Sequence, residues 1–425
     1  MVGYKKIMGA LLLSTLTGIS VAQNNTNSPY TRYGFGLLSD QSFGKNKAMG
    51  GVGYGLRDGF QINASNPASY TAIDSLTFLF DGGITLQNMN ISDKTTKVNA
   101  KNSSLDYLAM QFRISRKLAM TAGFLPFSNV GYNFGTTNKV NDPDNPDNNV
   151  SAKYSSSGEG GLHQFFVGAG YIPFKGLSFG ANVSYLFGSV DRTLSITFPD
   201  NTNVTPYSEI SEIRVRDYKL DLGLQYTKYL SKKSALTLGV VYTPGHSLNA
   251  DATMIRTTSV SDTTQLANGF DLPDCFGAGL AYTYNNRLTV GFDYSLQKWG
   301  NASFLGEKSL CNRSKYSIGA EYVPNPFNRN YFNRVKYRVG AYYSDPYIKV
   351  AEGTNSSTTW AKGAREYGVS AGFGLPVFSS RSILSISGQY VKVKARTPNM
   401  VDENYLKLSI GITFNERWFA KWKVE

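Results

Sequence analysis

Leu288-Thr289-Val290-Gly291-Phe292-Asp293-Tyr294-Ser295-Leu296-Gln297 is the stretch on which the fold turns. Every second side chain is apolar and those between are small or polar, a period of two that belongs to a strand and not to a helix. One face suits hydrocarbon and the other suits water. The same alternation sets Leu220, Leu222, Leu224 and Tyr226 against Lys219, Asp221, Gly223 and Gln225, and Leu406, Leu408, Ile410, Ile412 and Phe414 against Lys407, Ser409, Gly411 and Thr413. A soluble sandwich would not take Lys and Asp on its inner face without partners. A barrel in lipid, apolar outside and polar within, accepts them.

Working outward from these stretches, the alternation predicts fourteen strands, near 75–90, 104–115, 118–136, 161–174, 177–197, 212–230, 234–258, 266–284, 287–298, 313–323, 334–344, 365–376, 382–393 and 403–414. The number is even, as a bacterial transmembrane barrel requires. Connections alternate in length. Arg116-Lys117, Phe174-Lys175-Gly176, Ser231-Lys232-Lys233-Ser234, Tyr284-Asn285-Asn286-Arg287 and Ser379-Ser380-Arg381 are tight and are expected on the periplasmic side, whereas 137–160, 299–312 and 345–364 are longer and are expected outside. Asn325 to Arg334 departs from this pattern as a long turn on the short-turn side.

The N-terminus sets the compartment. Lys5 and Lys6 precede an apolar run from Ile7 to Val21 that ends in Ser20-Val21-Ala22, which reads as a secretory signal peptide over 1–22. No later apolar segment reaches the length of a spanning helix, and the mean hydropathy is −0.26 although the chain carries 28 Tyr, 25 Phe and 42 Gly. The expectation is an all-β, transmembrane antiparallel barrel of about fourteen strands over 74–414, located in the outer membrane of a Gram-negative cell, with a periplasmic-side tail over 415–425. Residues 23–73 lack the alternation and gather Gly50, Gly51, Gly53, Gly55 and Gly59. Their glycine content favours a plug packed in a confined space over a solvated tail.

The net charge of +13 comes with no basic block interleaved with aromatics, which argues against nucleic acid and for lipid phosphates or a carboxylate ligand. Cys275 and Cys311 match no metal site, and no cofactor or metal is expected. Both fall at outer strand ends, where either one disulfide or two free thiols fits. Asn141-Asp142-Pro143-Asp144-Asn145-Pro146-Asp147 gathers oxygen ligands but lacks a calcium-loop pattern and reads as a solvated loop. The mature chain has two histidines, His163 and His246, neither in a nucleophile setting, so no enzyme activity is expected.

Three groups of residues carry a family likeness. Lys47-Ala48-Met49-Gly50-Gly51-Val52-Gly53, Asp58 and Asn63-Ala64-Ser65-Asn66-Pro67-Ala68-Ser69 resemble the N-terminal plug of the long-chain fatty-acid transporter (FadL-type) outer-membrane family. Gly123-Phe124-Leu125-Pro126-Phe127-Ser128-Asn129 is similar to its kinked third strand, and Asp271-Leu272-Pro273-Asp274 with Asp293-Tyr294 and Trp299 to a hairpin in its second half. The resemblance spans almost the whole mature chain. It implies passive transport of long-chain fatty acids or other hydrophobic small molecules through a plugged barrel, with sideways exit at Pro126, Phe127, Ser128 and Asn129. Ser128 stands where many members carry Gly, and the outer loops are polar. Two alternatives stay open: a scaffold or secretion-system barrel of the same superfamily holding a protein partner at that opening, and a general diffusion porin.

The residues give their own reasons at two of these places. Pro126 has no backbone donor, so a strand holding it is interrupted there unless Pro lies in a loop. Asn66 before Pro67 and Ala68 is suited to bonding backbone groups of the plug, as a latch or as a simple turn. Gly50, Gly51, Gly53, Asp58 and Asn63 complete the expected plug and latch set. Lys219, Lys336, Arg338 and Lys407 are placed in the lumen, free for a ligand carboxylate or paired with Asp221 and Glu321.

Overall fold

In the computed structural model the alternating stretches form one antiparallel barrel wall. The structure describes residues 25–75, 77–92, 96–141, 149–201, 204–266, 269–352, 359–377, 381–396 and 400–417. The expected signal peptide, the loop of carboxylates at 142–147 and the tail from 418 onward lie outside the described residues.

The fourteen strands are β1 (Thr77–Ser92), β2 (Lys97–Arg113), β3 (Leu118–Asn141), β4 (Asn149–Tyr171), β5 (Leu177–Thr197), β6 (Tyr207–Tyr229), β7 (Ser234–Thr243), β8 (Cys275–Tyr284), β9 (Leu288–Gln297), β10 (Arg313–Tyr322), β11 (Lys336–Ser344), β12 (Arg365–Val377), β13 (Ser382–Lys394) and β14 (Asp402–Arg417). Each pairs with the next, and β1 closes the wall on β14 from Thr77↔Arg417 to Ser92↔Asp402. Closure leaves no exposed sheet edge to pair with other chains over most of the circumference. The alternation works as expected: Val183, Tyr185, Leu222, Phe292, Ile318 and Val339 stand exposed on the outer face while Asn182, Ser184, Gln225, Asp293, Ser317 and Arg338 are buried inside. Among the short turns, Asn285 and Asn286, the central residues of the turn Tyr284–Arg287, both take positive φ, the twist that suits the turn from β8 to β9.

Several boundaries differ from expectation in one direction. β3 runs to Asn141, β4 starts at Asn149 and β6 at Tyr207, so most of the expected loop 137–160 is ladder. Above the lipid a strand needs no apolar outer face, and the alternation that marks it disappears. The expected strand 234–258 breaks at Pro244-Gly245, and Ala250–Thr257 resumes the pairing with β6 from Ala250↔Val215 to Thr257↔Ser208. The expected strand 266–284 begins only at Cys275; Asp271–Leu272 pairs instead with His246–Ser247.

Candidate functional site: a welded plug and a seam in the wall

The N-terminal segment lies inside the barrel. Its 3-10 helix Pro67–Ala72 is capped by Asn66, whose Oδ1 accepts from the Ala68 backbone N–H at 3.0 Å while its Nδ2 donates to the carbonyls of Tyr54 and of Leu224 in β6. Asn66 therefore caps the turn and bonds the plug to the wall at β6. Asn63 ties the plug to itself through Gly53 and Leu56. Gly50 and Gly51 have φ of +70° and +84°, and a Cβ on Gly50 would meet the β11 backbone at Ala341 at 2.8 Å.

Buried charges weld the lower plug to the wall. The Lys45 ammonium lies 2.7 Å from Asp58 and 2.9 Å from Glu321, and Arg338 Nε lies 2.7 Å from Glu321. Arg338 also donates to Gln61 and Ser385, which joins β10, β11, β13 and the plug in one network. Burial acts to raise the Asp58 carboxyl, but the ammonium groups of Lys45 and Lys336 outweigh it and hold it below the usual carboxylate range. A second pair, Lys47 to Asp106 at 2.7 Å, fastens the plug to β2.

This network answers the question of the four lumen cations. Lys219 is paired with Asp221 at 2.5 Å, Arg338 with Glu321, and Lys336 is buried beside Asp58 with its ammonium over the Phe60 ring. Only Lys407 of the four faces the central cavity with no ion pair among the described residues. Cys275 and Cys311 are both free, each thiol turned to a backbone carbonyl, so the disulfide reading is overturned.

Two features went unread in the sequence. The Asp293 carboxylate accepts from the backbone N–H groups of Gly53 and Tyr54 at 2.6 and 2.8 Å, so a wall acid clasps the plug. Wall glycines also clear space for it: a Cβ on Gly239 would stand 1.8 Å from the Tyr54 carbonyl oxygen, and one on Gly340 2.1 Å from Met49. The available signal was glycine recurring at lumen-facing positions of successive strands.

The wall has a seam where Pro126 predicts one. β2 and β3 pair only from Leu108↔Phe124 to Arg113↔Ala119, although β2 continues to Lys97 against β1 and β3 continues to Asn141 against β4. The β3–β4 register shifts between Pro126 and Ser128. Pro126 lies within the strand and not in a loop. The place that β2 vacates is taken at two residues by the chain's own N-terminal strap: Leu37 pairs with Asn129, Leu38 with Ser128, and Ser39 N–H donates to the Phe127 carbonyl at 2.9 Å. Gly36 permits this approach, having φ of +89° with the Asn129 carbonyl 2.5 Å from where a Cβ would sit. The strap crosses to the other side of the seam through Ser28 to Glu403 and Tyr30 to Val401, both 2.6 Å.

Level with the seam the interior holds an apolar cluster. Phe35 of the strap stands among Phe304, Trp299 and Phe270, at ring distances of 5.1, 5.7 and 6.3 Å, with Val130, Leu162 and Ile213 from the wall. Beneath it lies a cavity of about 310 Å³ lined by Lys47, Asp106, Lys219, Asp221, Lys315 and Lys407 among others. Beside it, burial acts to raise the Asp40 carboxyl, but Lys315 and Lys47 hold it down at about 2. The interior thus holds an apolar cluster and, beneath it, a chamber of mixed lining that carries charged groups on its far walls and opens on the seam residues Leu37, Leu38, Pro126 and Phe127.

Comparison with known proteins places this architecture. A family model described as BamG matches residues 3–425. No curated protein matches the chain in sequence. The solved toluene transporter TodX of Pseudomonas putida superposes with a TM-score of 0.60 at 15% identity, over 90% of this chain and 100% of that one. A monoaromatic hydrocarbon channel, CymD, gives 0.58 at 16% identity over 89% and 98%, and a Pseudomonas aeruginosa FadL homologue 0.55 at 13% over 89% and 99%. At these identities the likeness is one of fold: the chain has the FadL-type barrel.

Proposed function

This chain belongs to the BamG family, and we propose that it is a passive outer-membrane channel for small hydrophobic compounds, which leave sideways through the β2–β3 seam. The observation that carries the proposal is the arrangement of the interior. An apolar solute entering from the long-loop end meets the apolar cluster and then a chamber open to the seam on one side, and to continue downward it would have to cross the ion pairs on the far walls and the plug beneath them. Sideways passage past Leu37, Leu38 and Phe127 into the hydrocarbon avoids that cost. The strap closes this route, so passage requires that residues 25–41 shift. Nothing in the reading calls for a catalytic step.

The fatty-acid version of the reading needs a partner for a carboxylate, and Lys407 is the candidate, since Lys219, Lys336 and Arg338 are engaged inside the protein. A general diffusion porin fits less well, because the plug occupies the lumen. A second reading has one specific observation in its favour. The upper edge of β3 already accepts two residues of the strap as an added strand, and a partner's extended segment can be held the same way.

The test is mass spectrometry of the molecules carried through gentle detergent purification of the full chain, beside a Leu37→Asp, Leu38→Asp variant that places charge in the seam. Enrichment of an apolar small molecule, reduced several-fold in the variant, supports the channel. A barrel free of such molecules and bound to stoichiometric protein moves the assignment to the second reading.

A further inference from the structure

The five described turns at the short-turn end, the long turn 323–335 among them, hold the feature that the channel leaves unused. The turn after β2 exposes Ile114 beside Arg116 and Lys117, that after β4 exposes Phe174 beside Lys175, and that after β6 exposes Tyr229 and Leu230 beside Lys232 and Lys233. The turn after β8 sets Tyr284 beside Arg287. The long turn between β10 and β11, residues 323–335, carries the extreme case, with Phe327 94% and Phe332 70% exposed beside Arg329 and Arg334. None of these cations forms an ion pair among the described residues, where the exposed acids at this end are Asp74 and Glu416 while Glu321 and Asp58 are buried in the plug network.

The long turn is built and does not merely hang from the barrel. Asn325 N–H bonds the Asn333 carbonyl at 2.8 Å, and the side chains of Asn325, Asn328 and Asn330 each accept from the backbone N–H two residues on, at Phe327, Asn330 and Phe332. These Asx turns fix where the two rings project. Tyr337, on the lipid-facing side of β11, donates its hydroxyl to the Phe332 carbonyl, which ties the turn to the outer surface of the barrel.

We infer that this rim is a binding surface for anionic phospholipid headgroups of the leaflet that surrounds the short-turn end, with turn 323–335 as its strongest site. Every described turn from β2 to β11 pairs an apolar side chain with one or more cations, over most of the circumference. A leaflet contacts all of them at once, whereas a docked protein would meet one sector. The rings continue the belt of Tyr226, Tyr282, Tyr322 and Tyr337 into the interface, where amphipathic rings settle, and the cations meet phosphate. The inference rests on the membrane placement of the proposed channel and not on the solute it carries.

The test uses the full chain in detergent, titrated with phosphatidylglycerol or phosphatidylcholine of equal chain length and read by native mass spectrometry. The expected result is preferential retention of phosphatidylglycerol, lost about five-fold for each cation removed in an Arg329→Gln series extended by Lys232→Gln and Lys233→Gln, the ratio that ~1 kcal/mol per surface cation implies. Phe327→Ser with Phe332→Ser should lower retention of both lipids and keep the ratio. Equal retention of the two lipids by the wild type, or a ratio that survives the Gln series, overturns the inference. So does a stoichiometric acidic protein that occupies the rim and leaves with the same substitutions. A chain that stays monodisperse without detergent would instead refute the membrane placement, a failure separable from loss of headgroup preference.

Discussion

The lower plug and the N-terminal strap are attached to the same wall by different means. The lower plug is held by buried charge, Lys45, Asp58, Glu321 and Arg338, together with Asp293 on the Gly53 and Tyr54 amides. The strap is held by a two-residue ladder, hydrogen bonds that include the Arg192 guanidinium on the Gly34 carbonyl, Asp40 at 3.9 Å from the Lys315 ammonium, and aromatic packing centred on Phe35. Removing one member of a buried charge network leaves the others unpaired in a low dielectric, which makes such a weld costly to open. Most of the strap's bonds are neutral, and each neutral bond can be exchanged for water at a net cost of about 1 kcal/mol. The difference makes the lower plug a fixture and the strap the part able to move, and the strap is the part that covers the seam.

The strongest way to break this comparison is Arg338→Leu, which leaves Glu321 and Lys45 facing each other without the guanidinium. The expected loss is about 3–5 kcal/mol, read as a lowered midpoint in denaturant unfolding of the reconstituted barrel. Phe35→Ala removes a buried aromatic and is expected to cost the strap about 3–4 kcal/mol, but here the comparison predicts a local effect. Hydrogen exchange should rise across residues 29–41 with little change in the barrel midpoint. A midpoint shift as large as that of Arg338→Leu would mean that the strap and the weld are one cooperative unit.

Acid sharpens the contrast further. The folded Asp58 carboxyl titrates below its unfolded value, so its contribution is complete above the ordinary carboxylate range and is lost as pH falls through the folded value. The plug should therefore loosen only on the acid side of about pH 4, and Asp58→Asn should flatten that limb while lowering stability at neutral pH. The smallest expected effect is that of Ser28→Ala, which removes a hydrogen bond to Glu403 and should cost about 1 kcal/mol, visible in exchange of the strap alone.

The sequence made the wall legible where lipid touches it. All fourteen strands appear, their lipid-level cores where expected although several bounds differ, because Leu288 to Leu296 and their counterparts must put an apolar residue outward at every second position. Above the lipid that demand lapses, which is why the ladder of β3 and β4 from Thr136 to Asn141 went unread. Pro126 revealed the seam through its own chemistry, since it lacks the donor a ladder needs. The strap at Leu37 and Leu38 left no such mark, for two residues added to an edge have no period. Asp221 and Glu321 were both named as acids able to pair with the lumen cations, but which cation each takes depends on register: Lys219 and Asp221 share a face within one strand, whereas Glu321 and Arg338 become opposite neighbours only once β10 and β11 are aligned. The resemblance to the fatty-acid transporter family holds for the fold, while the family itself is BamG.

The central claim is that solute leaves through the seam when the strap moves aside. Leu38 and Ser128 face each other across the strap ladder, so Leu38→Cys with Ser128→Cys, in a chain whose Cys275 and Cys311 are changed to Ser, allows the strap to be locked to β3 by oxidation. Uptake of a labelled apolar compound by cells carrying this barrel is the measurement. The account predicts that uptake falls to background when the bond is formed and returns on reduction; uptake that is the same in the locked and reduced states would contradict it.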